Sequence, residues 1–201
     1  MSLREKKKIE TKNKIFEVAG RLFKEKGFES TSIDEITEEA GIGKGTFFNY
    51  FPTKEALLLY FGEQRDELIY SSIENEMARV CSTRDKIKNL LAFLAGNYEK
   101  DKELTKLLVF EHIKHIRFTG LNSDEDKKRR YHLIKILTDL LEKGVREGDV
   151  RSTVDVKKAT ETLIAIYLFS LMSWLKSESD YSFSRDISEK IDMVFEGIGS
   201  C

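Results

Sequence analysis

The sequence predicts an all-α protein: an N-terminal three-helix helix-turn-helix domain joined by a long helix to a C-terminal helical domain. Three observations carry the helical class. A single proline stands in 201 residues, and twelve glycines fall mostly between periodic segments. Apolar residues recur at three- and four-residue spacing through most of the chain. With 40% hydrophobic and 34% charged residues, the chain can bury a sizeable core and form more than one domain.

The first helix is expected from about Lys8 to Lys26, with Ile15, Val18, Ala19, Leu22 and Phe23 on one stripe. Gly27 ends it and Phe28 packs back. Thr31-Ser32-Ile33-Asp34-Glu35 offers capping-box spacing in two registers, Thr31 with Asp34 or Ser32 with Glu35, ahead of Ile33, Ile36 and Ala40. Gly41 then supplies a left-handed residue, and Gly43 is an acceptable N-cap for a third, very short helix. On that helix Phe47 and Phe51 share one face, while Gly45, Thr46, Asn49 and Tyr50 point the other way. So short a helix is unstable alone in water, so its apolar face must be clamped by neighbours. Helix, glycine turn and helix make a helix-turn-helix, with the third helix built for recognition.

Phe51-Pro52-Thr53 makes a turn, and a fourth helix is expected from Lys54 to about Val80. Leu57, Leu58 and Phe61 close the first core, and Leu68, Ile69, Ile73 and Met77 continue into a second body. Further helices are expected over 84–100, 102–118, 124–147, 156–176 and 184–198, with a loop over 119–123. In the helix from Asp124, the run of Lys128, Arg129 and Arg130 follows three acids at i,i+4 spacing, which explains it by intrahelical pairing. The stretch from Leu163 to Leu175 is apolar nearly all round, and Ile187, Ile191, Val194 and Ile198 form a clean stripe. In a monomer these last two helices would expose a large apolar patch, which a two-fold dimer through a four-helix bundle would cover.

The formal net charge is −1, but residues 1–26 hold nine Lys/Arg against four Glu, and residues 27–43 hold five acids and no base. That dipolar arrangement suits a domain with its first helix near phosphates and its acidic second helix turned away. Cys81 and Cys201 stand far apart without a C-x-x-C, and the charged start lacks a secretory signal, which points to the cytoplasm. The apolar stretch 163–175 is thirteen residues broken by Ser170 and Ser173, too short to span a bilayer.

Gly27-Phe28, Thr31-Ser32, Ile33, Ile36, Ala40-Gly41-Ile42, Gly45-Thr46-Phe47, Tyr50-Phe51 and Lys54-Glu55-Ala56-Leu57 stand in the order and spacing of a known pattern. Over roughly its first quarter the chain thereby resembles the DNA-binding domain of the TetR (tetracycline-repressor-like) transcriptional regulators. It departs from them at Phe48, where the family usually has a tyrosine that reaches a DNA phosphate, and at Gly43, where serine is usual.

The expected function is a ligand-responsive repressor that binds a palindromic operator as a dimer and is released by a small apolar or aromatic effector. Residues 1–53 are expected to form the DNA-binding domain and 54–201 the ligand-binding and dimerisation domain. Gly45 allows close approach, Thr46 and Asn49 suit base edges, and Lys44, Tyr50, Lys54 and the Thr31/Ser32 helix start suit phosphates. By resemblance the C-terminal body encloses an effector pocket, for which Phe93, Phe110, His112, His115, Tyr167, Met172 and Trp174 are the candidates. His112 and His115 lack a third ligand at metal spacing, so neither a metal nor another cofactor is expected. No nucleophile–base set or phosphate loop supports the alternative, a small helical sensor or enzyme that carries a helix-turn-helix without binding an operator.

Overall fold

A computed structural model describes residues 2–77, 81–119, 124–179 and 181–197, with the side chains of 70–77, 115–119 and 124–131 outside that description. Among the described residues it has nine helices and no strand. They are α1 (Leu3–Lys26), α2 (Ile33–Glu39), α3 (Lys44–Phe48), α4 (Lys54–Met77), α5 (Thr83–Glu99), α6 (Lys102–Thr119), α7 (Asp124–Glu147), α8 (Val156–Lys176) and α9 (Phe183–Glu196). The chain divides into two compact units, residues 1–67 and 68–201, the boundary falling inside α4. The expected roles of Ile73, Met77, the 120–123 loop, Lys128 to Arg130 and Ile198 lie outside the described residues.

In the N-terminal unit, α1 starts at Leu3, five residues before the expected Lys8. The apolar stripe does not reach its first turns, and local capping sets its start instead. Ser2 Oγ accepts the Glu5 N–H at 3.2 Å, and Glu5 Oε2 accepts the Ser2 N–H at 2.6 Å. Gly41 (φ 61°) takes the positive φ expected of it, and Gly27 (φ 84°), which ends α1 as expected, has a positive φ as well. The core of this unit is Ile15, Ala19, Leu22, Ile36, Phe47, Phe51 and Leu57. Gly20 leaves room for the Phe61 ring, which would lie 3.0 Å from a Cβ there and which stacks on Phe16 at 4.0 Å.

The core of the C-terminal unit is built from α5, α7, α8 and α9, with Ile87, Leu91, Leu137, Phe183, Ile187 and Ile191 fully buried. Polar clasps fasten α9 to α5 at both ends. Glu99 accepts hydrogen bonds from the Ser184 N–H at 3.1 Å, the Ser184 hydroxyl at 2.8 Å and the Ser182 hydroxyl at 2.9 Å. At the other end Arg84 pairs with Asp192 and Glu196, and Lys88 pairs with Asp192. The turn after α7 closes against the start of α5, where the Asp149 carboxylate accepts the Thr83 N–H. Gly144 makes this closure possible, since a Cβ there would meet Thr83 Oγ1 at 2.5 Å and Val150 Cγ2 at 2.7 Å.

The helix α8 is apolar on more than one face. Leu163, Tyr167, Leu171, Trp174 and Leu175 are buried, whereas Leu168 and Phe169 are 52% and 69% exposed. On α9, Met193 and Val194 are also exposed.

Candidate nucleic-acid interface

The helix α3 is five residues long and has no side-chain cap at Gly43, so its position depends on packing. Phe47 and Phe51 supply that packing at 0% and 3% exposure. A full turn of backbone bonds fixes the strip between them: Thr46 N to Gly43 O at 2.9 Å, Asn49 N to Gly45 O at 3.2 Å and Tyr50 N to Phe47 O at 2.9 Å. The opposite face carries Lys44, Gly45, Phe48 and Asn49, all exposed, with Thr46 and Tyr50 half-buried beside them. Nothing lies within 4 Å of where a Gly45 Cβ would stand. Phe48, 48% exposed, also faces outward, since its position one residue past Phe47 turns it about 100° from the core face.

The elements flanking α3 take up the other expected contacts in different ways. Of the two capping registers, Ser32 with Glu35 forms: Ser32 Oγ accepts the Glu35 N–H at 3.2 Å, and Glu35 Oε2 accepts the Ser32 N–H at 2.8 Å. Thr31 is buried, and its hydroxyl donates to the Gly27 carbonyl at 2.8 Å. The Lys54 ammonium donates to the carbonyls of Phe28 at 2.8 Å, Thr31 at 2.9 Å and Glu29 at 3.5 Å, and lies 4.3 Å from the centre of the Phe28 ring. Lys54 and Thr31 thus hold the turn that presents α2 and α3. A further cation that sequence reasoning did not single out, Lys12, lies 3.7 Å from the centre of the Tyr60 ring.

The acids of α2 are not left as a bare negative face. Asp34 pairs with Lys44 of α3 at 2.5 Å, and Glu35 and Glu39 pair with Lys26 and Arg21 of α1, so three of the four acids of α2 meet a base. Asp34 and Lys44 are 66% and 59% exposed, so their attraction is weak and Lys44 is easily transferred to another anion.

The Lys26 ammonium, then the Ser32 N–H and hydroxyl, pull the Glu35 carboxyl down from 4.5 to about 2. A depressed carboxyl stabilises the fold above its unfolded value and loses that contribution as pH falls from about 4.5 through about 2. Glu35→Gln is therefore expected to be less stable than the parent at pH 7, with the gap in urea midpoint narrowing below pH 4.5. A gap independent of pH over that range would refute the role given to this carboxylate.

The expected effector residues occupy several environments. Tyr167 and Trp174, each 4% exposed, pack around Phe183 with ring centres at 5.3 and 5.6 Å. Phe93 and Met172 pack at the edge of the same core. Phe110 and His112 are half-buried on α6, and the side chain of His115 lies outside the described residues. None of these seven lines the cavity that opens among α7, α8 and α9. Among the described residues no three His, Cys, Asp or Glu side chains converge as a metal site, and no helix is long and apolar enough to cross a membrane.

Residues 15–61, which span α1 to the first turns of α4, match the sequence model of the bacterial regulatory proteins of the tetR family. The chain is 26% identical over 200 residues to the uncharacterized HTH-type transcriptional regulator YerO of Bacillus subtilis, with 94% of this chain and 66% of YerO covered. The chain thus spans just under two thirds of the length of that relative. It is 23% identical over 199 residues to the HTH-type transcriptional repressor KstR2 of Rhodococcus jostii, covering 94% of this chain and 91% of that one. In fold it is similar to Thermus thermophilus FadR, a TetR-family transcriptional repressor solved in complex with lauroyl-CoA. That match has a TM-score of 0.70 at 23% identity, over 94% of this chain and 96% of FadR. With the helix-turn-helix in place, it is residues 15–61 that carry the likeness to the bacterial regulatory proteins of the tetR family.

Proposed function

We propose that the protein is a dimeric repressor that binds a palindromic operator through α3 and is released by a small-molecule effector. The observation that carries this reading is the two-sided build of α3, with Phe47 and Phe51 sealed in the core and Gly45, Phe48 and Asn49 exposed on the other side. In the complex Gly45 lets the helix backbone approach the duplex. Thr46 and Asn49 read base edges, Asn49 being suited to adenine N6 and N7. Phe48 offers an apolar contact to a thymine methyl. Lys44 leaves Asp34 for a phosphate, the Tyr50 hydroxyl and the Ser32 end of α2 meet the backbone nearby, and Thr31 and Lys54 keep that end in place.

The exposed Leu168, Phe169, Met193 and Val194 favour a two-fold pairing through α8 and α9. Such a pair sets two recognition helices about 34–36 Å apart, one turn of DNA. Residues 1–53 serve as the DNA reader and 54–201 as sensor and dimer body. An effector with an extended apolar part fits this reading, since the FadR of similar fold was solved with lauroyl-CoA. Phe93, Phe110, His112, His115 and Met172 are the side chains proposed to meet it, with Tyr167 and Trp174 behind them. A coupling of about 1–3 kcal/mol between effector and operator is enough for control.

Sedimentation of the free protein, combined with fluorescence anisotropy on DNA from upstream of its own gene, tests the proposal. The expected result is a dimer that prefers a palindromic segment over random duplex by at least about 1,000-fold, with steep salt dependence. A monomer, or equal affinity for both duplexes, would sink it.

A further inference from the structure

A cavity of about 330 Å³ opens where the turn between α7 and α8 meets the last turn of α9. Leu141, Val150, Val154, Leu163, Val194 and Phe195 form most of its lining. Leu141 and Leu163 are nearly sealed, at 3% and 2% exposure, while Arg151 is exposed, so the cavity runs from the core to the surface. Its volume is at the lower end of small-molecule sites, about 300–1,000 Å³.

Ala159 and three polar side chains, those of Asp149, Arg151 and Thr162, complete the lining. Asp149 is directed elsewhere, because its carboxylate accepts the Thr83 N–H at the start of α5. Arg151 is different. Arg84, Arg146 and Arg185 of the same unit each pair with a carboxylate, but among the described residues no carboxylate or carbonyl engages the Arg151 guanidinium. An apolar recess bordered by one planar cation, one hydroxyl and a carboxylate held by the Thr83 N–H matches an anion with a single charge confined to one end.

We infer that this corner of the C-terminal unit binds a small aliphatic monocarboxylate, its head on Arg151 and its tail among Leu141, Val150, Leu163 and Phe195. The size argues against a nucleotide-bearing ligand, and the single cation beside Asp149 argues against a dianion. The site is separate from the side chains proposed above for the effector, and its existence does not depend on DNA binding.

Isothermal titration of the full-length protein with butanoate, hexanoate and octanoate tests this. Affinity is expected to rise about fourfold per added methylene as each is removed from water. Octanol is expected to bind at least tenfold more weakly than octanoate, and Arg151→Gln to weaken octanoate at least tenfold without moving the melting temperature. Because Arg151 is exposed, that variant does not threaten the fold. Ala159→Phe, which fills the cavity, is expected to abolish binding. The inference fails if octanoate does not saturate below about 5 mM, or binds parent and Arg151→Gln alike, or binds no better than octanol. It fails equally if octanoate does not bind while Arg151→Gln shifts the dimer equilibrium, which would give the recess to a second copy of the chain.

Discussion

Gly45→Glu is expected to reduce operator affinity on the order of 1,000-fold while leaving the fold untouched. Structure and function separate cleanly at this residue. Its backbone is helical and does not need a left-handed conformation, and a Cβ there meets no atom within 4 Å. Any other side chain loses less backbone entropy than glycine in a helix, by about 0.5–1 kcal/mol, and an acid in the first turn suits the helix dipole. The variant should therefore melt at or slightly above the parent temperature. In the proposed complex the same carboxylate faces phosphates at close range, and like charges brought together cost about 2 kcal/mol per head, doubled if the protein is the proposed dimer with two heads. Anisotropy with the palindromic segment, read beside a thermal melt, checks both halves. Undiminished binding by a folded Gly45→Glu dimer would remove α3 from the interface.

Phe183→Ala is expected to destabilise the protein by about 3–5 kcal/mol, the usual cost of emptying a buried aromatic site. Phe183 is fully buried as the first residue of α9, with Tyr167 on one side and Trp174 stacked on it at an interplanar angle of 20°. Its neighbours come from α8, whose backbone the deletion of one ring does not move, so the space stays largely open. For a chain of this size the loss corresponds to a fall in melting temperature of roughly 6–20 °C. Trp174 is the only tryptophan, so its emission reports the site directly and should move to the red. A fall of less than about 2 °C would mean that the three rings do not form the centre of this core. The same variant bears on the effector. If Trp174 is wall and Phe183 its backing, an effector that quenches Trp174 in the parent should lose affinity along with stability.

Much of the helical layout was legible in the sequence because each helix carries both a stripe and an end signal. The bounds of α7 and α8 agree with those read from the residues, and Gly27 and Gly41 mark turns that demand their conformation. The start of α1 was not legible from the stripe, since Ser2 and Glu5 define it by local hydrogen bonds in a segment without buried residues. In the reading head, the inward Phe47 and Phe51 and outward Gly45 and Asn49 follow from helical geometry alone. The engagement of Lys54 does not, because its acceptors lie 23 to 26 residues away and are backbone carbonyls, which carry no side-chain signature. Nor does the pairing of Asp34, Glu35 and Glu39, which needs two helices side by side. Tyr167 and Trp174 show the general difficulty: an aromatic on a helix reads equally as wall or as filling. Phe183, from another helix, is what occupies the space between them.

Lys54 is the first residue of α4, yet its side chain ends among the carbonyls that close the turn between α1 and α2. A single amine therefore acts as a rivet between two segments that lie more than twenty residues apart in the chain. Any twist applied to the leading end of α4 must drag the beginning of α2 along, so the reader should respond as one stiff block.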